Sequence, residues 1–164
     1  MFAGRKKKIE TPDTSVVVVA AGSASRMGGM DKQLVLLGGA PVLIHTLQRI
    51  GSCPSVREII VVTREQSIPV LHQMVADFGL QKIRTIVTGG QTRQQSVRNG
   101  FREISAQSQF VAIHDGARPL VRPEDVEACI AAARESGAAT LGVQVKDTIK
   151  QVDESGKIVS TPDR

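Results

Sequence analysis

The feature that most constrains this chain is a run of four valines at residues 16–19, which leads directly into the stretch AAGSASRMGGMDK. A continuous apolar run without alternation predicts a strand that is buried on both faces, as in a parallel sheet. The stretch that follows has little side-chain volume, but it offers many backbone amides and two cations, Arg26 and Lys32. It therefore predicts a loop that wraps around a small anion. The alternative is a flexible connection with two surface cations, because the loop matches neither GxxxxGK[ST] nor GxGxxG.

The rest of the chain alternates between short apolar runs and segments with helical spacing. Strands are predicted at residues 15–21, 58–63, 83–87, 109–114 and 139–145. Helices are predicted at residues 41–51, 68–78, 92–104 and 123–136, with Phe78 and Phe101 facing the core. This alternation indicates βαβ units, and hence an α/β fold with a mostly parallel sheet and flanking helices.

The rhythm changes after residue 145. The segment KDTIKQVDESGKIVS consists of two short alternating runs around residues 153–156, which predicts a β-hairpin. No helical segment follows that would cover it. We therefore expect the hairpin to be a projecting arm that packs on another chain.

The positive charge of the chain is concentrated near its beginning. Lys and Arg together number 21 and Asp and Glu 16, but four of the basic residues are Arg5, Lys6, Lys7 and Lys8. Without them, 17 basic residues face 16 acidic ones, so the remainder is nearly neutral. The chain also lacks Trp and Tyr and contains only four Phe. A basic face with aromatic stacking platforms is absent, which argues against nucleic-acid binding.

Other classes of protein are also disfavoured. No run of about 18 apolar residues occurs, which excludes a membrane span. The first residues lack the apolar segment of a secretory signal. Cys53 and Cys129 are isolated in the sequence, which argues against a structural zinc site and favours a reducing compartment, the cytoplasm.

Polar motifs also follow the third and fourth predicted strands, at the sheet edge where ligands gather in parallel sheets. TGGQTRQQS supplies two glycines and the hydroxyls of Thr92 and Ser96, although Thr92 in the simpler reading only caps a helix. In HDGARP, Asp115 is placed to hold Mg²⁺ against a triphosphate. Arg118 is alternatively a simple ion-pair partner of Asp115, and His114 is predicted to be a packed strand residue.

Four motifs in register give the chain a specific resemblance: AAGxxxRMG with a following DKQ, GGxxRxxSV, HDGARP and a late TPDR. In this order and at this spacing they resemble the 2-C-methyl-D-erythritol 4-phosphate cytidylyltransferase family, part of the Rossmann-like nucleotidyltransferase superfamily. The resemblance runs from about residue 15 to the last residue. It implies transfer of CMP from CTP to a sugar-alcohol phosphate, with release of pyrophosphate, in non-mevalonate isoprenoid biosynthesis. Mg²⁺ or another divalent metal is the implied cofactor.

The resemblance also implies roles for individual residues. The nucleotide is expected to contact Ala20, Ala21, Gly22, Ser23, Gly90, Gln91 and Ser96. The phosphates are expected to be neutralised by the catalytic cations Arg26 and Lys32, and Mg²⁺ to be held by Asp115. The sugar phosphate is expected to lie near Arg118, Thr148 and Arg164.

The implied organisation has three parts: a basic disordered tail at residues 1–13, a nucleotide-binding α/β domain at 14–145, and a dimerisation arm at 146–164. Two of the predicted substrate-site residues, Thr148 and Arg164, lie on the arm. They are expected to serve the neighbouring subunit of a homodimer. No nucleic acid or membrane is an expected partner.

The chain departs from the family pattern in two ways. Ala24 stands where the family usually has Gly, and Val19 where Pro is common; we expect only a slight stiffening of the loop. Family sequences also continue for dozens of residues after TPDR, so we expect either a fragment or an incomplete sequence. Two other readings stay open: a ribitol-5-phosphate cytidylyltransferase, and a non-catalytic CTP-binding or dimerisation fragment.

Overall fold

The computed structural model describes residues 12–22 and 32–163. In chain order, the elements are β1 (Thr14–Val19), β2 (Leu36–Leu37), β3 (Ala40–Pro41), α1 (Val42–Gly51), β4 (Val56–Thr63), α2 (Ile68–Asp77), β5 (Ile83–Thr88), α3 (Arg93–Phe101), β6 (Phe110–Asp115), α4 (Pro123–Ser136), β7 (Gln151–Val152) and β8 (Ile158–Ser160). The main sheet has the order β5-β4-β1-β6, and its three strand pairs are all parallel. The predicted α/β class is confirmed.

The valine run forms the centre of this sheet. Val16 and Val18 face a core built with α1, α2 and α4, whereas Val17 faces a smaller cluster beneath α3. All three side chains are fully buried. Burial on both faces is therefore the reason that the run is continuously apolar.

Local signals set the helix ends. Pro123 occupies the first position of α4, where its missing N–H costs nothing, and Gly137 ends the helix with φ 87°. Thr92 caps α3 in a capping box, because its Oγ1 accepts from the Gln95 amide while the Gln95 side chain accepts from the Thr92 amide. The helix predicted to open at Pro41 begins one residue later, since Pro41 belongs to β3.

Several predicted elements differ from the structure. Strand β1 ends at Val19, so residues 20 and 21 belong to the loop. Helix α3 ends at Phe101, whose side chain is 57% exposed, and Phe78 follows the end of α2 and is 39% exposed. Both are predicted to face the core, but each lies at or just after the end of its helix, where the side chain stays partly accessible to solvent.

The fifth strand predicted at residues 139–145 is wrong. These residues are exposed and form no ladder with any strand in the described part of the chain. Their alternation matches a strand, but a strand also needs a neighbour that pairs with its backbone. Strand β6 remains the edge of the described sheet, and its Val111 and Ile113 are exposed.

The predicted hairpin is confirmed. Strands β7 and β8 pair antiparallel, and Gly156 in the turn between them has φ 82°. All described residues of the arm are exposed. Its apolar side chains Ile149, Val152, Ile158 and Val159 are between 49% and 61% exposed. Within the described residues, no helix is both long and apolar enough to cross a membrane.

Candidate active site

Three loops meet at the carboxyl edge of the main sheet. The first follows β1, the second follows β5 and the third follows β6. The amide of Ala20 donates to the Val62 carbonyl at 2.7 Å, and the amide of Gly116 donates to the Val19 carbonyl at 2.9 Å. The amide of Gly89 donates to the Thr63 carbonyl at 2.8 Å. The sheet register therefore brings the three predicted motifs together.

Gly89 is the point of closest approach between the first and second loops. A Cβ added there would lie 2.3 Å from the Ala21 Cβ and 3.0 Å from the Ser96 Oγ. These two contacts leave no room for a methyl group at residue 89. Only glycine at this position allows the two loops to touch.

We expect Gly89→Ala to lower the free energy of unfolding by about 1–3 kcal/mol, because overpacking forces the two loops apart. Gly142→Ala is the matched control, since a Cβ there meets nothing within 4 Å. Urea unfolding of both variants measures the difference. Equal stability of the two variants would contradict the tight contact.

The second loop is ordered by hydrogen bonds within the motif. The Ser96 hydroxyl accepts from the Gly90 amide and donates to the Thr92 carbonyl, both at 3.0 Å, and Ser96 is buried. The Gln91 amide donates to the Gln95 Oε1 at 2.8 Å. Ser96 thus shapes the loop from below, and the simpler reading of Thr92 as a helix cap is confirmed.

Asp115 lies at the end of β6 between two arginines. Arg93 Nη2 donates to Oδ1 and Arg118 Nε donates to Oδ2, each at 3.0 Å. Partial burial by itself would raise the pKa of the Asp115 carboxyl, but hydrogen bonds and charges from Arg93, and then Arg118, outweigh it and hold the pKa below its ordinary value. The carboxylate is therefore ionised at neutral pH.

The backbone next to Asp115 is held in place by contacts with α1 and with Gln33. The Gly116 carbonyl accepts from the buried Thr46 Oγ1 at 2.8 Å. A Cβ on Gly116 would lie 2.9 Å from the Gln33 Oε1 and 2.9 Å from the Leu43 Cδ1. Gln33 is buried next to the exposed Lys32, so the segment carrying Lys32 packs directly against the third loop.

A cleft of about 700 Å³ opens beside the arginine pair and runs along β6 towards α4. Arg93, His114, Asp115 and Arg118 line it together with apolar side chains of β6 and α4. Burial lowers the pKa of His114, and its Nδ1 has no hydrogen-bond partner among the described residues. A neutral, partly buried ring agrees with the predicted packing role of His114.

The structure brings most of the predicted site residues to one edge, but not all of them. Those at the edge are Ala20, Ala21, Gly22, Gly90, Gln91, Ser96, Asp115 and Arg118. Thr148 lies on the exposed segment that leads into β7. Ser23, Ala24, Arg26 and Arg164 lie outside the described residues, as does most of the predicted tail.

Sequence reasoning missed Arg93. It is the first residue of α3, and its guanidinium spans from the second loop to Asp115 in the third. The motif GGxxRxxSV contained this arginine, and its place at the start of a helix on the carboxyl edge was the available signal.

The carboxylates of the described residues fit a divalent cation only if a substrate supplies further ligands. Nowhere in residues 12–22 and 32–163 do three or more His, Cys, Asp or Glu side chains gather in a group able to hold a metal ion. Mg²⁺, however, is commonly bound by one or two carboxylates together with the phosphate oxygens of a substrate. The ionised Asp115 therefore fits Mg²⁺ that enters with a nucleotide.

Comparisons with known proteins agree with this architecture. The family model for 2-C-methyl-D-erythritol 4-phosphate cytidylyltransferase matches residues 14–164. A curated protein of that name from Syntrophotalea carbinolica is 45% identical over 152 residues, which are 91% of this chain and 65% of that protein. The chain thus spans just under two thirds of the length of this relative.

Solved structures give the same result. The 4-diphosphocytidyl-2C-methyl-D-erythritol synthase from Anaerococcus prevotii superposes with a TM-score of 0.75 at 26% identity, over 94% of this chain and 65% of that one. A CMP:2-keto-3-deoxy-manno-octonic acid synthetase complexed with CTP gives 0.62 at 25% identity, over 77% of this chain and 49% of that one. The family model matches nearly the whole chain, and a solved structure of this activity shares its fold. The chain therefore belongs to the 2-C-methyl-D-erythritol 4-phosphate cytidylyltransferase family.

Proposed function

We propose that this chain carries the nucleotide site of an enzyme that transfers CMP from CTP to 2-C-methyl-D-erythritol 4-phosphate and releases pyrophosphate. The observation that carries the proposal is the cluster at the carboxyl edge, where an ionised Asp115 and two arginines adjoin the glycine loop at Gly89 and Gly90. A structural relative is described as complexed with CTP, and a curated relative is named for the transfer itself.

The proposed chemistry needs positive charge and position more than proton transfer. A phosphate oxygen of the sugar-alcohol phosphate attacks the α-phosphorus of CTP in line, and pyrophosphate leaves. The attacking oxygen is already anionic at neutral pH, so no general base is required. This agrees with a site that has arginines, glycines and one carboxylate at its centre.

The proposed roles are those that the family resemblance implies, and each agrees with the chemistry of its residue. The backbone of residues 20–22 and of Gly90–Gln91 would approach the nucleotide closely, since small residues leave the amides accessible. Lys32 and Arg26 would neutralise the phosphates, and Arg118, Thr148 and Arg164 would receive the sugar phosphate. Mg²⁺ would be held by Asp115, and when bound it supplies further neutralisation of phosphate charge.

We further propose that the arm makes a homodimer. An isolated hairpin is only marginally stable in water. The β7–β8 arm nevertheless exposes Val152, Ile158 and Val159, and every other described residue of residues 146–163 is exposed as well. A second copy of the same arm offers a self-complementary apolar surface.

Turnover distinguishes the three readings of the chain. Purified protein is incubated with CTP, Mg²⁺ and either 2-C-methyl-D-erythritol 4-phosphate or ribitol 5-phosphate, and pyrophosphate is measured. Release with the first compound supports the proposal, and release only with the second supports the ribitol-phosphate reading. CTP binding without release from either compound would make the chain a non-catalytic binding fragment.

A further inference from the structure

We propose that Arg93 is a phosphate-binding residue that changes partner: it holds Asp115 in the nucleotide-free protein and transfers to the triphosphate when a metal–nucleotide complex binds. The inference rests on the proposed function. Its starting point is that both oxygens of Asp115 are already in use. Oδ1 accepts from Arg93 and Oδ2 accepts from Arg118, each at 3.0 Å.

The charges at this point do not balance. Two guanidinium groups share one carboxylate, which leaves one positive charge in excess in the Arg93–Asp115–Arg118 cluster. No other acidic side chain in the described part of the chain lies within ion-pair distance of Arg93. An arginine in this position is suited to an anion that arrives from solution, because its planar fork matches phosphate oxygens.

Opening the Arg93–Asp115 ion pair costs little free energy. The Arg93 side chain is 63% exposed and that of Asp115 36% exposed. Ion pairs in such positions are worth little, because water competes for both partners. A charge-assisted, forked contact with phosphate is stronger, so a triphosphate can draw the guanidinium away.

Arg93 is the better candidate for exchange than Arg118. Arg118 pairs with Asp115 from only three residues further along the chain. Arg93 reaches Asp115 from another element, at the first position of α3, and the capping box at Thr92 and Gln95 fixes that position. Arg93 also adjoins Gly90 and Gln91, which are proposed to contact the nucleotide.

The exchange has a consequence for metal binding. While Arg93 donates to Oδ1, that oxygen offers less negative charge to a cation, so free metal competes with a guanidinium for Asp115. When phosphate takes Arg93, Oδ1 becomes available. Metal and nucleotide are therefore expected to bind together better than either binds alone.

The test uses Arg93→Met, which removes the charge and keeps an unbranched chain. Arg98→Met is the matched control, because Arg98 is exposed on the same helix and has no ion pair with Asp115. Mn²⁺ alone is titrated while paramagnetic broadening of the amide signals of residues 114–116 is followed. The affinity for Mg²⁺–CTP is then measured by calorimetry.

Arg93→Met should bind free Mn²⁺ about two- to fivefold more tightly than the wild type, which is the scale of a lost exposed ion pair. It should bind Mg²⁺–CTP about tenfold or more weakly, the scale of a lost hydrogen bond to a charged group. A merely structural role would move both affinities in the same direction. Arg98→Met should change neither.

Changes in the same direction, or no change, would overturn the exchange. If the wild type binds Mg²⁺–CTP and Arg93→Met binds it equally well, the inference fails and the proposed function stands. If the wild type does not bind Mg²⁺–CTP at all, the proposed nucleotide site fails, and the role of Arg93 fails with it.

Discussion

Asp115→Asn is expected to remove the Mg²⁺ dependence of CTP binding and to leave the fold intact. An amide cannot balance the charge of a divalent cation on a triphosphate, so the gain in affinity that Mg²⁺ gives the wild type should disappear. We expect a loss of about 100-fold in the presence of Mg²⁺, equivalent to roughly 2.7 kcal/mol. Calorimetric titration with CTP, with Mg²⁺ and with EDTA, gives both values.

The EDTA measurement fixes the sign of the effect. Without metal, the carboxylate of Asp115 repels the phosphates and occupies Arg93 and Arg118. The asparagine variant should then bind CTP at least as tightly as the wild type. Asp77→Asn serves as control, because Asp77 lies at the end of α2, far from the β6 end in sequence, and accepts a hydrogen bond from Gln73 within the same helix. An unchanged response of Asp115→Asn to Mg²⁺ would remove Asp115 from the metal site.

The second large effect is expected on the arm. The wild type should sediment as a dimer at micromolar concentration, and the double variant Val152→Asp with Ile158→Asp should sediment as a monomer. Two buried charges at a self-complementary apolar contact have no partners, and each costs several kcal/mol. Both positions are more than half exposed in the single chain, at 54% and 61%, so the core should not be affected.

Lys157→Asp is the matched control for the arm. It places a negative charge on the same hairpin without removing an apolar side chain, and the Lys157 amide that donates to Asp153 is retained. This variant should remain dimeric. A wild type that is monomeric at micromolar concentration, or a double variant that is still dimeric, would contradict assembly through the arm.

The fold was largely predictable because its signals are local. The valine run, Pro123 and Gly137 each act on their own segment: β1 contains the whole run, although it ends two residues before the predicted end, and α4 begins at Pro123 and ends before Gly137 as predicted. The strand predicted at residues 139–145 failed for the opposite reason. Whether an alternating segment forms a strand depends on a neighbour that lies elsewhere in the chain, and alternation carries no information about it.

The same distinction applies to the site. The meeting of the three loops was predictable, since carboxyl ends of parallel strands lie at one edge. The contact between Arg93 and Asp115 joins residues 22 positions apart on different elements, and no periodicity records it. Ser96 stays a predicted nucleotide contact, and only the three-dimensional structure reveals that its hydroxyl also bonds to Gly90 and Thr92.

The most direct test of the nucleotide site is a map of CTP-induced changes in the amide spectrum of the chain. With Mg²⁺ present, CTP should shift the signals of residues 20–22, 89–96 and 115–118, and UTP should do so only at higher concentration. Residues around the shallow depression formed by Leu47, Phe78 and Ile83 serve as the internal reference and should not move. Absence of shifts at the three loops, or equal shifts with CTP and UTP, would contradict a cytidine nucleotide site at this edge of the sheet.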